Sequence, residues 1–559
     1  MNQPDQVLPE TEKPRLRRNR SLGSWLEAHL DSAALTVVAL GFVLRLRAAW
    51  GIFLNPDEAL HFFIANRDSW AMVYKASLTM AHPPLLFLVL YSVRHLGTSE
   101  FLLRLPSVLA GTAFCWIFYK WAAEIFGQKV ALIGLMFVAL LGPLVDLSAE
   151  VRHYELLLLF LISSAYFFEQ ALARSSPERM LLSAACLYLA MLSHYSAFLF
   201  AVAIGVYSLL RVVGRGTPLR VRVAWIAGQA GALGLAIFLY LNHISKIQGT
   251  TMADVAFNTW LYKSYFHRGD GNPLVFVVVR SFSLFQYCLG QLVIGDIAAL
   301  LFVTGIVFLL RGKLALKPGP TTRWTPILLV LPFAMNCVAA LLDRYPYGGT
   351  RHCVFLVIFA VAGVASCLVK LTGERITRGV AVAALVVLLC YAVRSTHQPF
   401  IARADQSLAR MKHAAAFVRE RIPVSDPIIV DYESGLVLGH YLCEQRPISY
   451  DGSIEGFLVF HCGGHRIVST VSDLWFFTPQ TFLNQWRALL RNGGLRPDQV
   501  VWIGQAGWNV DLDDELRTGF PEFHNLQTKS FGNNIRFFKL AADQAMPSAA
   551  SAEKASQPR

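Results

Sequence analysis

"FLNPDEALHF", residues 53–62, puts Asp57 and Glu58 side by side immediately after the first long apolar run of the chain. An acidic pair is ordinarily solvated surface, so its meaning depends on what surrounds it. Apolar stretches near the ~20 residues needed to cross a bilayer recur through the first 394 positions. The 559 residues are 55% hydrophobic and only 16% charged, with mean hydropathy +0.45, whereas a soluble domain carries roughly 25% charged residues. These features define a polytopic, mainly α-helical membrane protein. The net charge of +13 does not point to nucleic acid, because the basic residues are spread through short loops as membrane orientation requires. The N-terminal "TEKPRLRRNRSLGSWLEAHL" (11–30) has no small-residue cleavage site after its first apolar run, so no removable signal peptide is expected. The nine cysteines show no CxxC or zinc spacing. Seven, from Cys115 to Cys390, fall in or beside apolar spans as small core filler.

Candidate spans are 32–52, 102–121, 130–146, 155–173, 181–210, 224–241, 295–310, 324–342, 353–369 and 379–394. Positive connections lie at "RLRRNR" (15–20), 120–129, 174–179, "RVVGRGTPLRVR" (211–222), "RGKLALKPGPTTR" (311–323) and "KLTGERITR" (370–378). With all of these cytoplasmic, 181–210 must cross twice, since thirty residues make one helix of ~45 Å. "LSHYS" (192–196) marks the break. The result is about eleven crossings, with the N-terminus (1–31) inside, the C-terminus outside, and a membrane domain over 32–394. Outward loops 53–101 and 242–294, with three shorter connections, then gather "NPDEALHF", "AHPPLLF", "VDLSAEVRHYE", "SHYS", "WLYKSYFHRGDG" and "DRYPYGGTRH" on one membrane face. Ionisable groups at a membrane edge are functional candidates because charge is costly in lipid.

The last 165 residues change character. "DQSLARMKHAAAFVRERI" has helical apolar spacing, "DPIIVDYESG" reads as a short buried strand ending in turn residues, "FLNQWRALLRNGG" as a helix stopped by glycine, and "QVVWIG" as a strand. A soluble extracytoplasmic α/β domain over 395–541 is expected, followed by a low-complexity, disordered tail at 542–559. Cys443 and Cys462 lie in that domain, where an oxidising compartment permits a disulfide. There is no GxGxxG to support a nucleotide site.

The ordered set of an acidic pair after the first span, "HPPLLFLVLYSVRHLGTSEFLLRLPS", "AEVRHYELLLLF" and "SHYSAFLF" resembles the GT-C class of membrane glycosyltransferases. The likeness is to the dolichyl-phosphate-mannose protein mannosyltransferase branch, which includes the lipid A aminoarabinose transferases, and it covers roughly 35–370. The resemblance implies a multi-pass protein of the bacterial inner membrane that moves a sugar from a polyprenyl-phosphate donor to a lipid, glycan or protein acceptor on the periplasmic or exoplasmic face. It maps the catalytic acid onto Asp57, with Glu58 beside it and a second acid at Asp146 or Glu150. His82 stands where some relatives carry a basic residue before "PP", and 83–97 becomes an interfacial helix.

Glycosyl transfer needs a base for the acceptor hydroxyl, assigned to Asp57, and fixed positive charge for the departing phosphate. Arg152, Lys263, Arg344, Arg351 and His352 are candidates for the phosphate, and His153, Tyr154, His194, Tyr195 and Tyr345 for other substrate contacts. Each has a plainer reading. Arg351 can snorkel at a helix end, Arg152 can pair with Glu150, His194 and Tyr195 can pack the broken-helix turn, and Lys263 can anchor at the interface. No cofactor is required on the resemblance, although Asp57, Glu58, Asp146 and Glu150 with a histidine could take a divalent cation. A lipid or sugar transporter, or a non-catalytic scaffold, remains the alternative; the chain shows no internal repeat of the transporter kind.

Overall fold

The computed structural model describes residues 22–214, 216–247, 251–267, 269, 271–312, 324–393, 406–443, 448, 452–454, 457–470, 488–489, 491, 499–507 and 523–542. The membrane part opens with α1 (Leu22–Ala28) and α2 (Leu30–Ala49), then three short helices, α3 (Pro56–Ala65), α4 (Trp70–Ser77) and α5 (Leu85–Val93). Next come α6 (Glu100–Ile125), α7 (Gln128–Leu140), α8 (Gly142–Ser148), α9 (Tyr154–Arg174), α10 (Pro177–Ser193), α11 (Ser196–Val212) and α12 (Leu219–Leu239). A π-turn at Tyr240–Ile244, α13 (Ser245–Ile247) and α14 (Thr251–Asn258) follow, and then α15 (Pro273–Leu289), α16 (Leu292–Leu310), α17 (Thr325–Leu341), α18 (Val357–Leu371) and α19 (Ile376–Ala392).

Among the described residues, six helices are long and apolar enough to cross a bilayer: α2, α6, α9, α12 with its extension to Ile247, α16, and α18 with the 3₁₀ turn that leads it from Arg351. The bent pair α7–α8 makes a seventh, and α11, α15, α17 and α19 are shorter apolar helices. The chain is a multi-pass integral membrane protein. Every expected span has a helix in it, and 181–210 is broken at His194–Tyr195 into α10 and α11. The segment 242–294, expected as a loop, contains the 17-residue α15 packed against α16.

The α7–α8 bend of 60° follows from sequence. Pro143 has no N–H to give Ala139, and Gly142 starts the new direction. Arg45, wholly buried on α2, fills the gap: its Nη1 donates to Ala139 O at 2.8 Å and its Nη2 to Val138 O at 3.0 Å. Its Nε reaches Ser148 Oγ at 2.9 Å. A buried guanidinium thus caps the end of α7 and fixes where α8 leads into the 149–153 loop.

The C-terminal part contains α20 (Leu408–Arg421), β1 (Ile428–Val430), α21 (Tyr432–Leu442), β2 (Gly452–Ile454), β3 (Phe457–Cys462), β4 (His465–Thr470), β5 (Val501–Ala506), β6 (Phe523–Ser530) and β7 (Ile535–Ala542). They form a seven-stranded mixed sheet of order β2-β3-β4-β1-β5-β7-β6, with β1 parallel to both β4 and β5. Cys443 and Cys462 are disulfide-bonded. The "DYESG" segment, expected as a turn, instead starts α21, because Asp431 caps it by accepting from Ser434 N at 2.9 Å. Of the helix expected at 482–494 only residues 488–489 and 491 are described, and they are helical; the tail at 543–559 lies outside the described residues.

The sheet domain shares its core with the membrane part. Phe53, Leu54, Phe62 and Leu103 are buried in one cluster with Leu436, Val437 and Trp502. Phe53 N donates to Gln406 O at 2.9 Å, Leu408 N to Gly51 O at 2.9 Å, and Leu54 N to the Tyr441 hydroxyl at 3.0 Å. α21 packs directly on α3, the helix that carries the acidic pair.

Candidate functional site

α3 begins where its sequence says a helix should. Asn55 is the N-cap, Pro56 occupies the first turn, and Asn55 and Glu58 close a reciprocal capping box. Both acids of the pair therefore sit in the first turn, where the helix dipole favours negative charge. Their surroundings then diverge.

Glu58 is 1% exposed and accepts four hydrogen bonds. Arg104 Nε and Nη2 bind its two oxygens at 2.8 and 2.7 Å, Val151 N donates at 2.8 Å, and Asn55 N at 2.9 Å. Arg104, itself fully buried, also donates to Ile52 O and Phe53 O at 2.8 Å each. Expected among the catalytic acids, Glu58 has its lone-pair directions engaged and is shut off from solvent. Its bonds tie α3 to α6 and to the 149–153 loop.

Asp57 faces the other way and is 23% exposed. Its carboxylate is ion-paired to Arg152 and, at 3.2 Å, to Arg351 Nη2. Arg152 is 3% exposed and also lies 3.6 Å from Glu150. The expected pairing of Arg152 with Glu150 is therefore present, and the same guanidinium also pairs with Asp57. Glu150 is at the mouth beside Arg152, while Asp146 is half-buried on α8.

Behind Asp57 the rings of His61, His82, His153, His194 and His352 form a chain. Ring centroids are 4.9 Å apart for His61–His153, 4.4 Å for His82–His153, 5.3 Å for His82–His194 and 6.0 Å for His194–His352. Tyr154 packs 5.1 Å from His194, and the Tyr345 hydroxyl donates to His352 O at 3.3 Å. His61 Nδ1 bonds Val151 O at 2.8 Å. The Val151 peptide is therefore held at both ends by α3, through Glu58 and His61, which aims Arg152 and His153 inward. Burial, with opposition from nearby positive charge, holds His61 down to about 4. Burial first, then the neighbouring histidines, keeps His82 and His153 well below the ordinary imidazole range.

Lys263 and Arg344 are exposed, and their described contacts reach neither Asp57 nor the histidines. Tyr195 turns away, pairing its hydroxyl with His243, whose Nε2 bonds Ser77 O at 2.8 Å. Two residues outside the expected set belong to the site. His61 follows Asp57 by four positions on one helix, a spacing that puts both on one face. Arg104, the lone charge in "RLPS", is the partner of Glu58.

Residues 81–241, which contain this second loop and most of the histidine chain, match the family model of dolichyl-phosphate-mannose-protein mannosyltransferase. The structure of ArnT from Cupriavidus metallidurans in the apo state superposes with TM-score 0.54 at 13% identity, covering 93% of this chain and 99% of that one. The chain has the ArnT-like fold. The same ArnT bound to undecaprenyl phosphate gives TM-score 0.52 at 14% identity, covering 92% and 99%. The Archaeoglobus fulgidus oligosaccharyltransferase tethered with an acceptor peptide gives 0.49 at 10% identity, covering 94% and 76%. Comparison with curated proteins finds no match. The mannosyltransferase-like resemblance read from the sequence stands, and the ArnT fold extends it through the C-terminal sheet domain that covers α3.

Proposed function

We propose that this chain is an inverting glycosyltransferase that moves a sugar from a polyprenyl-phosphate donor to a lipid, glycan or protein acceptor at the outer face of a bacterial inner membrane. The observation that carries the reading is a partly exposed carboxylate, Asp57, held between two guanidinium groups in a membrane fold of the ArnT kind. Asp57 takes the proton of the acceptor hydroxyl as its oxygen bonds the anomeric carbon. The anomeric carbon–phosphate oxygen bond breaks, and the polyprenyl phosphate leaves with the electron pair, so no second acid is needed. Arg152 and Arg351 receive that anion, since a planar fork pairs two phosphate oxygens.

The same arginines occupy Asp57 in the structure, which gives donor binding a consequence. A phosphate that draws the guanidinium groups onto itself releases the carboxylate to act as base. The proton transfer itself calls for no cofactor. The test uses purified protein in lipid with a panel of radiolabelled polyprenyl-phosphate sugars, scoring loss of label from the carrier. Asp57→Asn is expected to lose about 10²–10⁴-fold of the turnover, the usual range for a general base. Undiminished turnover in that variant would overturn the assignment of the base.

A further inference from the structure

His61, His82 and His153 each place a ring nitrogen within 4.8 Å of the other two. Their hydrogen bonding is unusual for buried polar groups. Among the described residues, His153 Nε2 and His82 Nδ1 are buried and have no hydrogen-bond partner, and His153 is 1% exposed. Buried polar groups are normally hydrogen-bonded, and here two unpartnered ones lie together. His61 completes the pattern from the other side. Its Nδ1 bonds the carbonyl of Val151 at 2.8 Å, so that nitrogen carries the proton and Nε2 keeps its lone pair. A backbone carbonyl fixing the distal ring nitrogen is the arrangement that orients metal-ligating histidines.

We infer that His61, His82 and His153 form a three-histidine site for a divalent transition-metal ion, zinc in the first instance, with its open fourth position toward the donor phosphate. Imidazole suits zinc over magnesium or calcium, and three protein ligands with one open position are the pattern of zinc sites that bind substrate or water. A tetrahedral zinc shell with ~2.0–2.1 Å bonds spaces its nitrogens by roughly 3.4 Å. The nitrogens, within 4.8 Å of one another, close by at most about 1.4 Å to reach it. The charged side chains beside the site, Asp57, Glu150, Arg152 and Arg351, sum to zero and set no net barrier against a cation. The site also differs from a carboxylate cage, because Asp57 and Glu58 are taken by arginines.

The role assigned to the ion rests on the glycosyl-transfer reading above; the site itself does not. His82 stands where the family resemblance expects a fixed positive charge on phosphate, and a neutral imidazole has none. A metal ion held by His82 supplies that charge.

The experiment uses the full chain in lipid nanodiscs, stripped with chelator and then titrated with zinc, with metal content read by mass spectrometry and no sugar donor present. About one zinc per chain is expected, lost in His153→Gln and in His82→Lys, with cobalt giving the visible absorption of four-coordinate cobalt in the unmodified chain only. Failure of the unmodified chain to retain zinc, or equal retention by both variants, overturns the site. The strip-and-restore cycle needs no substitution, so misfolding of a variant cannot produce the negative. In a second arm, undecaprenyl phosphate is expected to bind the stripped chain at least about tenfold more weakly and to recover with zinc. His82→Lys should bind it independently of chelator. An affinity that chelation leaves unchanged overturns the phosphate role. Sugar turnover by a chain that binds no zinc would remove this inference and leave the transferase reading intact; zinc binding without turnover on any donor would do the reverse.

Discussion

Substituting Glu58 by glutamine tests whether the acidic pair is divided as described, one member reacting and the other positioning. Glu58 Oε1 accepts from Arg104 Nε and Val151 N, and Oε2 from Arg104 Nη2 and Asn55 N. Either flip of an amide points an NH₂ at two donors, so two of the four bonds are lost and replaced by opposed hydrogens. Arg104 is left as a buried, unpaired cation. Breaking one partner of a buried ion pair costs about 3–5 kcal/mol, which shifts the opening equilibrium of α3 by roughly 10² to nearly 10⁴-fold. Thermal unfolding in detergent, limited proteolysis across 51–62 and donor turnover should all move together. In the double variant Glu58→Leu with Arg104→Met, part of the stability returns because no charge is left buried. If Glu58→Gln unfolds within about 0.5 kcal/mol of wild type and keeps its turnover, the network does not hold α3 and the division of roles is wrong.

Other outcomes follow from single contacts. Gly507 has φ +121°, and a Cβ there would meet Pro56 Cγ at 2.4 Å; Gly507→Ala should cost about 2–4 kcal/mol from backbone strain plus overpacking, read by thermal shift, and should reduce turnover by displacing the start of α3. Arg351→Lys keeps the charge but loses the fork, so the donor KM should rise about tenfold with a smaller change in kcat, measured by steady-state kinetics. His440, buried against Phe62, is held down to about 4 by burial. Its unfolded form takes a proton near 6.5, so its share of stability is complete above that pH and is lost as pH falls toward 4. His440→Phe should therefore flatten the acid limb of a stability–pH curve by up to ~1.4 kcal/mol per pH unit.

The membrane body is legible in the sequence because each apolar run is bounded by charges that lipid excludes. Even the broken span shows itself, through its length and the polar "LSHYS" at its middle. α15 is not legible in the same way: Arg280, Ser281 and Ser283 interrupt its apolar run, and its partners Tyr347 and Gly349 come from a distant loop. In the C-terminal domain β1, β5 and α20 follow local periodicity. α21 does not, because "DYESG" has turn composition and becomes helical once Asp431 caps it and α3 receives its apolar face.

The site divides along the same line between local and tertiary information. Asp57 is recognisable from its place after the first span, and the i, i+4 spacing to His61 was open to view on α3. The partner of Glu58 was not, since Arg104 in "RLPS" looks like any charge at a helix start until its guanidinium is buried across a 46-residue gap. The arginines that matter are selected by reach rather than by type. Arg152 and Arg351 converge on one carboxylate from loops about 200 residues apart, while Arg344, seven residues from Arg351, stays in solvent. That convergence couples the two halves of the proposed reaction. The charge that would hold the donor phosphate also occupies the base before the donor arrives, so removal of Arg152 should weaken donor binding yet leave Asp57 more accessible to an acceptor. A slow, uncoupled hydrolysis of the donor by water in Arg152→Ala, absent from Asp57→Asn, would be the signature of a carboxylate freed without its phosphate clamp.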